Sequence, residues 1–356
     1  MKFLLAQINP VVGDLEGNAK KILNIASKAC SISADFVLTP ELSLWGYPAN
    51  DLLLKKNLIR NQSQILDKLA LNIHKKYGNL SITVGVAERI NDSFFPNLYN
   101  SIALLEGGKW TIIARKIILP TYEVFDEKRY FRSEEKVSVL IKKIKNKTWR
   151  IGFTICEDLW VNKDIEGRGI HRKNPIVDLK KKKVDILVNL SASPYGFKKL
   201  ELRSKVSSFA AKYLQVPLIY VNQIGANDNL IFDGNSFILD KNGFKIKQLK
   251  SFSEDHFSWE IGKTIPEKIK SEDSEISSIF DALVLGVRDY AKKCGFKTAL
   301  IGLSGGIDSA LVSAIATAAL GSNNIYCVSM PSKWSSSHSK SDAKDLARRL
   351  KINFNT

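Results

Sequence analysis

Three apolar stretches of the sequence each contain a side chain that can take part in nucleophilic catalysis. They are FVLTPELSLWGYP with Glu41, IIARKIILP with Lys116, and RIGFTICEDLW with Cys156. Reactive groups in α/β sheets gather at the carboxyl ends of strands, so we expect these three side chains to meet. A carboxylate can take the proton of a thiol, and an ammonium can stabilise the thiolate and then an oxyanion. The pattern predicts a cysteine nucleophile with a base and a cation beside it.

Taken singly, each of these residues also has an ordinary structural interpretation. An isolated cysteine is typical of a small buried apolar residue, and isolated Glu or Lys residues are typical of the surface. Glu157 and Asp158 follow Cys156 directly. A carboxylate pointing at the thiol would raise its pKa, so we expect both side chains to point elsewhere.

A second stretch, GLSGGIDSA, has the composition of a phosphate-binding turn between a strand and a helix. Gly305 and Gly306 allow a tight turn of backbone N–H groups, and Ser304 and Ser309 add hydroxyl donors. The positive end of the helix dipole lies at the same place. The carboxylate of Asp308 would repel a phosphate, so it suits an anion site only if Mg²⁺ lies between the two. The alternative interpretation of this stretch is a plain glycine turn between a strand and a helix. Ser309 stands only 47 residues before Thr356.

Composition narrows the class of protein. The chain has 356 residues, 44% of them hydrophobic, and a formal net charge of +17. No apolar run approaches the roughly 18 residues of a membrane span, and the N-terminus lacks a cleavage site typical of signal peptides. Lysines are spread along the chain and no nucleic-acid motif accompanies them, so we expect neither a nucleic-acid nor a membrane partner. Four scattered cysteines indicate a reduced, cytoplasmic protein without a zinc site.

The order of apolar runs predicts an α/β layered domain over residues 1–245. Continuous apolar runs are typical of strands covered on both faces. The predicted strands are 2–8, 35–39, 81–87, 101–105, 110–114, 149–154, 185–190, 217–221 and 235–240. The predicted helices are 18–32, 52–77 and 199–214.

A second α/β unit follows a polar stretch that we interpret as a linker. Apolar residues at three- and four-residue spacing predict a helix from about residue 274, capped by Asp273 or Ser274 and closed by Gly295. The strand at 298–303, the glycine turn and a helix to Leu320 come next, then a strand at 325–330 and a helix at 339–350. A further strand is predicted to start in KINFNT.

Several blocks resemble a known family. PELSLWGYP, RKIILP and CEDLW are similar to the three blocks of the nitrilase (carbon–nitrogen hydrolase) superfamily, which has a Glu-Lys-Cys triad and an αββα sandwich. ELSLWGYPANDLL, LPTYEVFDEKRYF and NLSASPYGFKK resemble the glutaminase domain of glutamine-dependent NAD synthetases. The resemblance covers nearly all of residues 1–250.

The resemblance implies a role for each matching residue. Glu41 is the general base, Lys116 the oxyanion stabiliser, and Cys156 the nucleophile that forms a γ-glutamyl thioester and releases ammonia. Glu127 matches an additional glutamate that positions the site. The glutamine-binding positions are Tyr122, Ser193 and Lys199, although Lys198 is adjacent and the last match could shift by one. Segment 161–175 is longer than the family's usual connection, and its role stays open.

The glycine turn resembles the PP-loop of N-type ATP pyrophosphatases, and MPSKWSSSHSKSDAKDLARRL resembles the next block of the NAD synthetase catalytic domain. This implies a partial Rossmann-like PP-loop domain (adenine nucleotide alpha hydrolase-like) with ATP as substrate, Mg²⁺ and no prosthetic group. Ammonia would travel through a tunnel and amidate adenylated deamido-NAD. The ATP-binding residues implied are Gly302, Leu303, Ser304, Gly305, Gly306, Ile307, Asp308 and Ser309, with Asp308 a candidate Mg²⁺ ligand.

These patterns predict a glutaminase domain over 1–250, a linker over 251–272, and the first part of an ATP-binding domain over 273–356. The function implied is that of a glutamine-dependent NAD synthetase, a homo-oligomer acting on glutamine, ATP and deamido-NAD. The alternatives are a stand-alone glutaminase or amidase with a non-functional synthetase stub, and a basic binding protein. We expect the 356-residue chain to lack the rest of the PP-loop domain, to make no NAD alone, and to expose apolar surface after residue 273.

Overall fold

The computed structural model describes residues 1–90, 94–144, 146–161, 173–263, 274–334 and 336–356. The chain divides into two compact units. The first consists of Met1–Ile224 and Phe232–Ser271, and the second of Gly225–Ile231 and Glu272–Thr356. Each unit has its own sheet structure and its own hydrophobic core.

In its described residues, the first unit contains two six-stranded sheets and four α-helices. Its strands are β1 (Lys2–Gln7), β2 (Phe36–Leu38), β3 (Ser81–Arg89), β4 (Leu98–Glu106), β5 (Lys109–Arg115), β6 (Ser138–Ile144), β7 (Lys147–Ile155), β8 (Ile186–Ser191), β9 (Leu218–Asn222), β12 (Phe237–Leu239), β13 (Lys245–Gln248) and β14 (Asp255–Glu260). Between β9 and β12 the chain forms a separate hairpin of β10 (Ile224–Asn227) and β11 (Leu230–Asp233). Its helices are α1 (Leu15–Ser31), α2 (Lys56–Tyr77), α3 (Pro175–Lys181) and α4 (Lys199–Leu214).

The two sheets enclose the main core between them. The first has the strand order β14-β1-β2-β3-β4-β5 and the second β13-β12-β9-β8-β7-β6. Phe3 and Phe36 of the first sheet lie in one buried cluster with Ile151 and Ile186 of the second. Helices α1 and α2 contact the first sheet, and α3 and α4 pack against the outer face of the second. The order of layers is αββα, as the sequence predicts.

Local signals fix the ends of the helices. The carboxylate of Asp14 accepts a hydrogen bond from the backbone N–H of Gly17 at 2.9 Å, which satisfies a free donor at the start of α1. Asn174 caps α3 in the same way through Ile176 and Val177. Asn174 belongs to segment 161–175, most of which lies outside the described residues.

The predicted linker is wrong in its first part. Residues 255–260 form strand β14, which pairs antiparallel with β1 from Lys2↔Glu260 to Gln7↔Asp255. The stretch looks polar because β14 is an edge strand, where only alternate side chains are buried. Trp259 faces the core with 5% of its surface exposed, whereas His256 is exposed. The remainder of the predicted linker, from residue 264, lies outside the described residues.

The hairpin formed by β10 and β11 belongs by its contacts to the second unit, although the sequence places it far from that unit. The backbone N–H of Ala226 donates to Asp289 at 2.8 Å. Lys293 forms an ion pair with Asp289 at 3.1 Å, and its ammonium donates to the carbonyl of Ala226 at 2.9 Å. The two hydrogen bonds of Ala226 fasten the hairpin to the helix that carries both side chains, and the Asp289–Lys293 ion pair lies within that helix.

The second unit is built around a parallel sheet. Its elements are α5 (Glu275–Cys294), β15 (Ala299–Gly302), α6 (Ile307–Leu320), β16 (Ile325–Val328), α7 (Ser337–Leu350) and β17 (Asn353–Asn355). The strand order is β15-β16-β17, with all pairings parallel. The strand predicted in KINFNT is thus confirmed as β17. Ser274 caps α5 by accepting from Ser277 at 3.2 Å, and Gly295 ends the helix in the left-handed conformation.

The apolar face predicted for α5 is only partly buried, since Val284 and Ala291 are buried but its other side chains are exposed. Ile276 is 81% exposed and Tyr290 is 64% exposed, whereas Ala282, Leu285 and Asp289 are buried. Helix α5 packs against α6 and contacts the hairpin with its small and polar residues. Periodicity alone predicted the wider apolar stripe, and most of that stripe is exposed in this chain. Reduced solubility caused by this surface stays a prediction.

All four cysteines are free. Within the described ranges, no helix is long and apolar enough to cross a membrane. The same ranges contain no group of three His, Cys, Asp or Glu side chains that could hold a metal ion.

We predict that Trp259→Ala lowers the free energy of unfolding of the first unit by about 3–5 kcal/mol, since it leaves a cavity between β14 and the core. The matched control is Phe244→Ala, because Phe244 is an aromatic residue that is 68% exposed. Urea unfolding followed by circular dichroism measures both variants. Equal stability of the two would show that β14 is not part of the core.

Candidate active site

Glu41 lies in the turn after β2, and 2% of its surface is exposed. One carboxylate oxygen, Oε1, accepts hydrogen bonds from Asn100 Nδ2 and Lys116 Nζ, both at 2.7 Å. The other, Oε2, accepts from the backbone N–H of Ala192 at 2.8 Å. Ala192 follows β8 of the second sheet, so this carboxylate joins the two sheets. All three contacts satisfy a charge that is removed from water.

A glycine in β3 makes room for the Glu41 turn. A Cβ atom on Gly85 would lie 2.1 Å from the backbone nitrogen of Leu42 and 2.7 Å from the carbonyl carbon of Glu41. The backbone N–H of Gly85 also donates to Ser43 Oγ at 2.9 Å. Any other residue at position 85 would push this turn away from the sheet.

Lys116 follows β5 and is fully buried. Its ammonium donates to Glu41 Oε1 and to Glu127 Oε1, each at 2.7 Å. Burial alone would lower the pKa of Lys116, but the charges of Glu127 and Glu41 raise it well above its ordinary value. The lysine is therefore a permanent cation, which suits a group that stabilises negative charge.

Cys156 occupies a sharp turn at the carboxyl end of β7. Its φ is +45°, a left-handed conformation that is uncommon for a residue other than glycine. Burial and then the charge of Glu41 raise the pKa of the Cys156 thiol, while Lys116 opposes the shift. The thiol is therefore protonated at neutral pH and needs a base to become a nucleophile. Glu41 is a carboxylate whose charge acts directly on this thiol.

Glu127 and Tyr47 complete the buried cluster. Tyr47 donates its hydroxyl proton to Glu127 Oε1 at 2.8 Å, next to the lysine on the same oxygen. Burial raises the pKa of Glu127 to about 7, although Lys116 pulls it down. Burial and the charge of Glu127 raise the pKa of Tyr47 too, so its hydroxyl keeps its proton. Tyr47 was not predicted from the sequence, because it looks like an ordinary core tyrosine in LSLWGYP.

The two carboxylates next to the cysteine differ in direction. Asp158 accepts three backbone N–H groups and is 1% exposed. Burial raises its pKa to about 7, against the effect of these donors. Glu157 accepts the hydroxyl of Tyr122 at 3.0 Å, yet its charge still contributes to the raised pKa of Cys156. The contacts of Asp158 therefore agree with the expectation that it points away from the thiol. Glu157 bonds to Tyr122, but its charge still acts on the thiol.

Two of the three predicted glutamine-binding residues, Tyr122 and Lys199, lie beside Phe125, whose ring also contacts Tyr47 of the cluster. The rings of Tyr122 and Phe125 lie 5.4 Å apart, and Phe125 also contacts Tyr47. The ammonium of Lys199 lies 5.9 Å from the centre of the Phe125 ring. Lys198 is exposed and instead lies over Phe197, which favours Lys199 of the two neighbours.

Ser193 follows β8 and is held by a buried arginine that was not predicted from the sequence. Arg203 is fully buried and pairs with Asp233 at 2.8 Å. Its guanidinium also donates to Ser193 Oγ at 3.1 Å and to the Ser193 carbonyl at 3.0 Å. In the sequence, Arg203 is one of several basic residues on a predicted helix, so only the fold reveals its burial.

The glycine turn of the second unit joins β15 to α6 and is held together by hydrogen bonds of its own serine hydroxyls. Gly305 has φ +88°, and a Cβ atom there would lie 2.1 Å from the carbonyl oxygen of Ser339. The hydroxyls of Ser304 and Ser309 lie 3.1 Å apart, and Ser309 also donates to the carbonyl of Gly306. Helix α6 starts directly after Gly306. Asp308 is exposed in its first turn.

We predict a pH-dependent effect of Glu127→Gln on stability. The folded protein holds a proton on Glu127 up to about pH 7, whereas the unfolded chain releases it near the ordinary pKa of 4.5. The stabilisation is therefore fully present below the lower value and is lost as the pH rises through the higher one. Glutamine does not titrate, so wild type loses stability relative to Glu127→Gln over this interval. Urea unfolding at several pH values measures it, and a constant difference would contradict the raised pKa.

Comparison with known proteins gives two family matches on this chain. Residues 5–262 match the carbon–nitrogen hydrolase family, and residues 279–356 match the NAD synthase family. The first match covers the unit with Glu41, Lys116 and Cys156, and the second covers the glycine turn.

Curated relatives and a solved structure extend over both regions. A glutamine-dependent NAD(+) synthetase of Synechocystis is 43% identical over 99% of this chain and 63% of its own length. The structure of a glutamine-dependent NAD+ synthetase from Acinetobacter baumannii, in complex with ADP, is 34% identical with a TM-score of 0.87, covering 99% of this chain and 64% of that one. The chain thus spans less than two thirds of the length of these relatives.

An amidase from Nesterenkonia sp. AN1 shares the fold of the first unit, with 16% identity and a TM-score of 0.59 over 73% of this chain and 93% of its own. The αββα order, the buried cluster around Lys116 and the match over residues 5–262 agree with one another. The chain belongs to the carbon–nitrogen hydrolase family.

Proposed function

We propose that the protein containing this chain is a glutamine-dependent NAD synthetase. The observation that carries the proposal is the buried Glu41–Lys116–Glu127 cluster beside Cys156, on the same chain as a glycine turn matched by the NAD synthase family. A glutaminase site supplies ammonia, and an ATP-using site consumes it. The two regions occur in the same order in relatives of that name.

In the glutaminase half, Glu41 takes the thiol proton while Cys156 Sγ attacks the side-chain amide carbon of glutamine. The oxyanion of the tetrahedral intermediate is stabilised by the Lys116 ammonium. As the intermediate collapses, the amide nitrogen takes the proton from Glu41, the C–N bond breaks, and ammonia leaves a γ-glutamyl thioester on Cys156. Water then attacks the thioester with Glu41 again as base, giving glutamate and the free thiol.

Tyr122, Ser193 and Lys199 are proposed to bind the amino-acid part of glutamine. A free amino acid carries a carboxylate and an ammonium, and both need polar partners once water is displaced. Lys199 can pair with the carboxylate. Phe125 lies between Tyr122 and Lys199 and provides an apolar wall for the methylene groups.

In the second unit, residues 302–309 are proposed to bind the phosphates of ATP. The turn offers backbone N–H groups, two serine hydroxyls and the positive end of α6. ATP activates the carboxylate of deamido-NAD as an adenylate, and ammonia displaces AMP to leave the amide. Mg²⁺ usually binds through one or two carboxylates plus phosphates, and Asp308 offers one carboxylate at this place. When bound, the ion neutralises phosphate charge.

NAD formation from deamido-NAD, ATP and glutamine by the protein containing this chain tests the proposal. Ammonia release without NAD formation, even when ammonium is supplied, would instead favour a stand-alone glutaminase or amidase. Absence of ammonia release from glutamine and from simple amides would overturn both functions.

We predict that Cys156→Ala abolishes ammonia release from glutamine, because no other group in the cluster can form the thioester. The control is Cys30→Ala, since Cys30 is a free, exposed cysteine. Ammonia is measured by coupling to glutamate dehydrogenase. Residual activity of Cys156→Ala comparable to that of Cys30→Ala would remove Cys156 from the chemistry.

We predict that Gly305→Ala weakens ATP binding by at least about tenfold, since the added methyl group must displace the turn from α7. Gly321→Ala is the matched control. Gly321 has a similar φ of +85°, but no atom lies within 4 Å of the position that its Cβ atom would take. Calorimetric titration with ATP and Mg²⁺ measures both variants. Equal affinities would show that the turn does not position the nucleotide.

A further inference from the structure

Asp158 is a buried carboxylate to which the chemistry above gives no role. It stands two positions after Cys156, in the short helical turn Cys156–Leu159, and only 1% of its surface is exposed. A carboxylate removed from water to this extent is tolerated only where hydrogen-bond donors surround it. The identity of these donors indicates what the residue does.

The carboxylate of Asp158 links the two chain segments that carry the lysine and the nucleophile. Its Oδ1 accepts the backbone N–H groups of Ile117 at 3.0 Å and Ile118 at 2.8 Å. Its Oδ2 accepts the backbone N–H of Ile155 at 2.9 Å. Ile117 and Ile118 directly follow Lys116, and Ile155 directly precedes Cys156.

Both segments are places where the sheet ends. Strand β5 ends at Arg115, so residues 116–118 lie beyond its ladder, although the Lys116 backbone is itself bonded to Asn100 and Glu134. Strand β7 ends at Ile155, and the chain then turns through the left-handed conformation of Cys156. β5 and β7 belong to different sheets. The Asp158 carboxylate therefore provides between the sheets a connection that neither ladder supplies.

We propose that Asp158 is a positioning residue of the glutaminase site, whose carboxylate fixes the backbone after Lys116 against the backbone before Cys156. The inference rests on the proposed glutaminase function. By fixing these two backbone segments, Asp158 holds the Lys116 ammonium in place relative to the Cys156 sulfur that attacks glutamine. A displacement of about 1 Å between reacting groups can cost about 100-fold in rate. Loss of the carboxylate therefore affects turnover and leaves glutamine binding largely intact, since no glutamine-binding residue proposed above bonds to Asp158.

The test is a graded series assayed for glutaminase activity at about pH 8, where the wild-type carboxylate is ionised. Asp158→Asn keeps one acceptor oxygen, and Asp158→Ala keeps none. We expect kcat to fall about tenfold in the first and about 100-fold in the second, with little change in KM. The assay temperature is set well below the unfolding midpoint of each variant, so that only folded protein is compared.

Asp185→Asn is the matched control. Asp185 accepts the backbone N–H of Arg150 at 2.7 Å, on the same strand β7 but towards its other end. A general loss of stability in β7 would lower the activity of this variant as well, whereas the proposed role leaves its kcat at the wild-type value. Equal kcat values in Asp158→Ala and Asp185→Asn, or a change confined to KM, would overturn the proposal.

Hydrogen–deuterium exchange on the wild-type protein also tests the proposal, and it requires neither a folded variant nor enzyme activity. The hydrogen bonds to Asp158 predict slow hydrogen–deuterium exchange at the amides of Ile117 and Ile118, although these residues lie outside any helix or strand. Rapid exchange at both amides would overturn the proposal. Failure of the wild type to release ammonia would overturn the proposed function instead. The exchange measurement would still decide whether Asp158 holds the two backbone segments together.

Discussion

The candidate active site depends on the cation Lys116, which is fully removed from water. Lys116 is fully buried, so its charge is tolerated only because Glu41 and Glu127 both accept hydrogen bonds from its ammonium. Two carboxylates around one ammonium leave a net negative charge in a dry site, which explains why burial and mutual repulsion raise the pKa of Glu127. Burial, and then the charge of Glu41, raise the pKa of the nearby Cys156 thiol.

The rest of the fold brings these groups together from both sheets. Glu41 and Lys116 follow strands of the first sheet, whereas Cys156 and Ser193 follow strands of the second. The carboxylate of Glu41 reaches the backbone of Ala192, and Asp158 reaches the backbone after Lys116. Side-chain-to-backbone bonds thus connect the sheets at this edge, while the apolar cluster connects them along their faces. A backbone N–H is kept in every substitution of its residue except proline, so these bonds do not depend on the side chains of Ala192, Ile117 and Ile118.

The sequence predicted the layers of the fold and the reactive cluster because both leave strong local signals. Continuous apolar runs mark buried strands, and the blocks around Glu41, Lys116 and Cys156 are distinctive as a set. Three of the four edge strands, β6, β13 and β14, were missed because polar and charged residues interrupt their apolar pattern. Tyr47, Asp158 and Arg203 were missed or left without a role because their importance comes from partners far away in the chain. The apolar face of α5 was predicted from its periodicity, but a periodic pattern does not say which side chains of that face are covered.

The hairpin between β9 and β12 has a consequence for how the chain can be divided into separate parts. Residues 225–231 lie inside the region matched by the carbon–nitrogen hydrolase family, yet their contacts are with α5 of the following unit. Along its length, the chain therefore passes from one unit to the other three times and not once. A cut between the two family regions of the chain would therefore separate the hairpin from Asp289 and Lys293, to which it is hydrogen-bonded.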